Sequence, residues 1–124
     1  MFDYDTYKNE VKQRATALIQ ADLTDEDKDL DWDIIENFSV DMTVQAAKEK
    51  CPDLSDNHDA LSVLVSKPDL LDSREGSGGG TVRKHISEVL VHEVCEDLRP
   101  TITEETKVLF EAVGGCVSRP PSFR

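Results

Sequence analysis

The chain has 124 residues, of which 26 are Asp or Glu and 14 are Lys or Arg, so its formal net charge is −12 at neutral pH. That length holds one modest core and a single domain. A polyanion of this kind is repelled by nucleic acid and by anionic membranes, so neither is an expected direct partner, whereas basic protein surfaces and divalent metals are compatible with it.

Taken in chain order, Tyr4, Tyr7, Val11, Ala15 and Leu18 recur at helical spacing and predict an amphipathic helix over residues 4–21, with Asp3 as its cap. Thr24 followed three positions later by Asp27 has the form of a helix-start box. The stripe Leu30, Ile34, Ile35, Phe38 and Met42 then predicts one long helix from about 26 to 50, ended by Pro52. The β-branched and turn-forming residues between Asn37 and Val44 make that stretch the expected place for any break. Leu61, Leu64 and Val65 predict a short helix before Pro68, with a strand over 61–65 as the alternative.

Gly76 to Gly80 is read as a flexible connection. It lacks the Lys-Ser/Thr pair of a P-loop, because Thr81 is followed by Val82 and Arg83. Val82, Ile86, Val89, Leu90, Val94 and Leu98 predict a helix that stops at Pro100. Thr101 and Glu104 then cap a last helix, which Gly114 and Gly115 end. The fold class is therefore all-α, a small single-domain bundle of four to five helices with a Gly-rich loop near its middle. The domain spans residues 1–115, with a flexible tail over 116–124. The apolar helix faces also leave a homo-oligomer open.

Three cysteines, Cys51, Cys95 and Cys116, without paired short spacing fit reduced thiols and a cytoplasmic setting. The opening residues Met1 to Asp5 lack the basic and apolar segments of a secretory signal, and no apolar run approaches a membrane span. No nucleophile has a recognisable base or oxyanion partner, so neither catalysis nor a cofactor is expected. His85, Glu88, His92 and Glu96, with Cys95 beside them, share one helix face at metal-ligand spacing. Their bland reading is an exposed polar face.

The charge distribution carries the functional expectation. Residues 22 to 75 hold 16 acids against five bases, which places 11 of the 12 net negative charges in that stretch. On a continuous helix Asp25, Asp29, Asp33 and Glu36 form a stripe with steps of about 6 Å. Like charges at such spacing weaken a helix by a few tenths of a kcal/mol per pair, so local stability does not favour them. With Asp27, Asp31 and Asp41 nearby, these residues are the candidate partner-binding set, directed at a basic protein surface.

In size, composition and charge placement the chain resembles the small, acidic, helix-rich DNA-mimic inhibitors that phages and plasmids make against host defence enzymes. The resemblance implies an anti-defence inhibitor acting in the host cytoplasm on a nucleic-acid-processing enzyme. No sequence motif is shared with that group. The alternative is calcium: Asp25, Asp27, Asp29, Asp31 and Glu36 fall at positions one, three, five, seven and twelve of an EF-hand-like loop. Leu30 occupies the sixth position, where that loop uses Gly.

Overall fold

A computed structural model describes residues 2–54, 57–68 and 82–117, without the side chains of 57–59 and 82–85. Four α-helices and one short 3-10 helix follow in order, and no strand occurs among the described residues. Helix α1 covers Tyr4–Asp22, the 3-10 helix Asp25–Asp29, α2 Trp32–Lys50, α3 Asn57–Ser66 and α4 Val82–Ala112. The all-α single-domain bundle read from the sequence is the observed fold. Residues 61–65 lie within α3, which removes the strand alternative.

Helices α1, α2 and α4 pack pairwise, while α3 and the 3-10 helix rest on α4. From α1 the core receives Tyr7, Val11, Ala15 and Ile19, one from nearly every turn, as the helical spacing requires. Asp3 caps this helix by accepting from the Thr6 amide at 3.2 Å. Helix α2 contributes Ile35, Ala46 and Ala47, and α3 contributes Ala60, Val63 and Leu64. Ile86, Leu90, Val94, Leu98, Ile102 and Phe110 line the buried side of α4.

Three boundaries differ from the sequence expectation. The helix expected over 26–50 is interrupted at Leu30 and Asp31, whose backbones are extended, and not within Asn37–Val44. The latter stretch stays helical between the buried Ile35, Ala46 and Ala47, and its buried hydroxyls are satisfied within the helix: Ser39 Oγ donates to the Glu36 carbonyl at 2.6 Å and Thr43 Oγ1 to the Ser39 carbonyl at 2.8 Å. The box of Thr24 and Asp27 is real, but it starts the 3-10 helix. The Thr24 hydroxyl accepts from the Glu26 amide at 3.3 Å, and the Asp27 carboxylate accepts from the Thr24 amide at 2.8 Å.

The second difference is that α4 passes through Pro100. Thr101 and Glu104 therefore lie inside a helix and cap nothing. An interior proline removes one backbone hydrogen bond and crowds the preceding turn, at a cost of about 3 kcal/mol. Leu98, Ile102 and Phe110 are buried on both sides of it, and burying such side chains contributes about 1.5–3 kcal/mol each, enough to keep the two halves in line.

The third is at the C-terminal boundary. Gly114 takes φ 101°, and the Gly115 amide donates back to the Phe110 carbonyl at 2.8 Å, which closes α4. Val117 still packs against the core, so the packed unit runs past residue 115. The Gly76–Gly80 connection and residues 118–124 of the expected tail lie outside the described residues.

Candidate partner-binding face

Residues 22–41 carry nine acids and one Lys. Asp25, Glu26, Asp29, Asp33 and Asp41 are exposed, and Asp27, Asp31 and Glu36 are half-buried. The continuous stripe through Asp25, Asp29, Asp33 and Glu36 is not formed. A 3-10 helix advances about 120° per residue, so Asp25 and Asp29 diverge, and the extended Leu30–Asp31 pair resets the register before α2 begins. The acids thus follow one another along residues 22–41 without the regular spacing of a single helix.

On α2 the face is well defined. At about 100° per residue, Asp33, Ile34 and Asp41 lie within one 100° sector, opposite the buried Ile35, Ser39, Thr43 and Ala46. Ile34 is 51% exposed and Leu30 is 36% exposed. Both were expected in the apolar stripe that backs the acids. The break accounts for the exchange: Trp32 and Ile35 turn inwards, Trp32 meeting the Phe110 ring at 6.0 Å between centroids, and Leu30 and Ile34 turn outwards.

Asp27 holds the cap of the 3-10 helix. Its role is structural. Asp31 precedes α2 as N-cap through its backbone, since its carbonyl accepts from the Ile34 amide at 3.0 Å and its side chain makes no cap bond. Several of the remaining acids are drawn into ion pairs elsewhere: Lys12 with Glu105 at 3.4 Å, Arg14 with Glu49 at 2.8 Å and Lys107 with Glu104 at 3.3 Å. The Arg14 hydrogen bond holds the Glu49 carboxyl below its ordinary range.

The loop of the calcium alternative is not assembled in this geometry. Carboxylates two residues apart on a 3-10 helix point about 120° apart, so Asp25, Asp27 and Asp29 do not converge here. Leu30 takes φ −74° and ψ 152°, an extended conformation instead of the sharp turn a glycine gives that loop. Among the described residues no group of three or more His, Cys, Asp or Glu side chains is placed to hold a metal ion. On α4, Glu88, His92 and Glu96 are exposed and Cys95 is half-buried, while the His85 side chain lies outside the described residues.

A second polar cluster has no signal in the local sequence. Lys67, after α3, sits 3.3 Å from Asp97 and 3.9 Å from Glu93 on α4, with its ammonium 4.9 Å from the centre of the Tyr4 ring. The Tyr4 hydroxyl donates to Asp97. Burial alone would raise the Asp97 carboxyl, but the Tyr4 hydrogen bond and Lys67 outweigh it and hold the group below its ordinary range. This cluster fastens α3 to α1 and α4. Its members come from three distant stretches of chain, which is why no local pattern reveals it.

Burial pushes the Cys95 thiol up to about 11, and it also raises Cys51 against a hydrogen bond involving Ser87. Both are poor nucleophiles. Cys95 lines a crevice of about 40 Å³ with Ser39, Val40, Thr43, Glu96 and Arg99, room for water more than for a substrate. No helix of the described residues is long and apolar enough to cross a membrane. No protein-family model matches the chain, and comparisons with curated proteins and with solved structures find no match.

Proposed function

We propose that the chain is a protein-binding inhibitor or adaptor whose acidic face, residues 22–41, occupies a basic surface on a partner protein. The surface is of the kind that otherwise receives nucleic acid, on a nucleic-acid-processing enzyme in the cytoplasm, and the chain acts by occupancy without catalysis. The observation that carries the proposal is the placement of nine acids against one Lys on a stretch most of whose acids are exposed while its Trp32 and Ile35 anchor the core. Such a field speeds encounter with a cationic groove and disfavours acidic partners. Its broken spacing makes charge density, more than a phosphate ruler, the basis of recognition.

The test is capture on the immobilised chain from a bacterial lysate at low salt, followed by elution with duplex DNA. A nucleic-acid enzyme displaced by DNA supports the proposal. Exposed charges are screened within about 10 Å at 0.1 M salt, so the captured partner should also be released by a modest rise in salt. Replacing Asp25, Asp33 and Asp41 with Lys should abolish capture while circular dichroism stays unchanged. A partner that resists salt and DNA, or that the triple variant still holds, would refute the proposal.

A further inference from the structure

We infer that α3 is a flap that opens from the bundle of α1, α2 and α4 as a unit of its own, and that Lys67 is the latch that holds it shut. The inference does not depend on the binding function proposed above. Helices α1, α2 and α4 pack pairwise, whereas α3 rests on α4. Of the four large aliphatic side chains of α3, Val63 and Leu64 are buried, but Leu61 is 59% exposed and Val65 79% exposed. A helix of 10 residues does not hold its shape alone in water. Apolar burial this limited is largely offset by the entropy of ordering the segment, so α3 depends on what fastens it.

The fastening is at its C-terminal end. The Lys67 amide donates to the Val63 carbonyl at 2.9 Å, which ties the residue to the last turn of α3. Its ammonium lies 3.3 Å from Asp97 and 3.9 Å from Glu93, which stand one turn apart on α4, and 4.9 Å from the centre of the Tyr4 ring. Ser66 Oγ adds a hydrogen bond to the Phe2 carbonyl at 3.1 Å. Without Lys67, Glu93 and Asp97 would oppose each other as like charges at i and i+4. Lys8 also stabilises the Asp97 carboxylate, but it stands on α1 and does not hold α3. Once detached, α3 loses its helical hydrogen bonds, and its amides report the opening.

Amide hydrogen exchange of the full chain at pH 7, read by mass spectrometry, tests both halves of the inference. Amides of residues 61–66 should exchange at least about tenfold faster than those of residues 8–19 in α1, because a flap opens more often than the whole chain unfolds. Ile19→Val, about 22 Å along α1 from Tyr4, should speed the α1 amides about two- to tenfold and leave those of α3 unchanged, since the contacts of Ile19 survive in the open state. Lys67→Met should speed α3 exchange about tenfold, because a half-buried ion pair lies between the small effect of an exposed pair and the large effect of a buried one. The α1 amides should then speed by a similar factor, since the latch is absent from the open and the unfolded state alike. Lys67→Arg keeps the charge and should keep most of the protection.

Equal exchange of α3 and α1 in the native chain would mean that α3 opens only when the whole chain unfolds, and would overturn the flap. A proportional rise of α3 exchange in Ile19→Val would overturn it in the same way. Exchange of α3 unmoved by Lys67→Met, or moved equally by Lys67→Arg, would overturn the latch.

Discussion

Replacing Pro100 with Ala should make the protein more stable. Pro100 stands inside α4 and is exposed, so the substitution removes no core contact. Proline lacks the amide that would donate to the Glu96 carbonyl one turn earlier. In a helix interior it is about 3 kcal/mol less favourable than alanine. Against this, proline restricts the unfolded chain, and losing that restriction costs about 0.4–1 kcal/mol.

Glu96 and Pro100 are both exposed, so solvent reaches this turn and offsets part of the missing hydrogen bond, which reduces the gain further. The net expectation is about 1–2 kcal/mol. With an unfolding entropy of about 2.1 cal/mol/K per residue, a chain of 124 residues should melt about 4–8 °C higher. Thermal unfolding followed by circular dichroism measures this directly. An unchanged or lower midpoint would refute the reasoning, because it would mean that Leu98, Ile102 and Phe110 pack best around a turn shaped by the proline.

Gly114→Ala should destabilise the fold by about 1 kcal/mol, since φ there is 101°, and Gly115→Ala by more, because the added carbon would lie 2.4 Å from the Phe110 ring; urea midpoints would rank the two. Asp97 has a lowered carboxyl, so its contribution is present above its unfolded value of 3.8 and is lost as pH falls through the lower folded value. Asp97→Asn should therefore reduce stability at pH 7 and flatten the acid limb of a midpoint-against-pH curve below about pH 4. At pH 8 a thiol reagent should modify the exposed Cys116 well before Cys51 and Cys95, and equal rates for all three would contradict the packing of α2 on α4.

Much of the fold is legible in local sequence. The period of Tyr4, Tyr7, Val11 and Ala15, and that of Ile86, Leu90, Val94 and Leu98, are properties of single helices whose buried sides repeat with the helical turn, although Ile19 and not Leu18 continues the first of them into the core. Asp3, the Thr24–Asp27 box and Gly114 act on their immediate neighbours, so their signals are local too. The sequence misplaces the breaks for one reason: proline and turn-forming residues express a local preference, and burial overrides it. Pro100 is carried by the core on both sides of it, and Ser39 and Thr43 by the burial of Ile35, Ala46 and Ala47 around them.

By itself, then, the sequence determined the helical class, the single bundle and the concentration of negative charge in one stretch, because periodicity and composition are local quantities. The tertiary structure decided where that stretch bends. Phe110 takes Trp32 into the bundle, the Leu30–Asp31 pair becomes extended, and on α2 Asp33 and Asp41 share their sector with the exposed Ile34 in place of a regular stripe. The pairing of Lys67 with Asp97 and Glu93 was likewise settled only by packing. Which side of a helix faces water depends on the register set by its neighbours, and no single segment encodes that register alone.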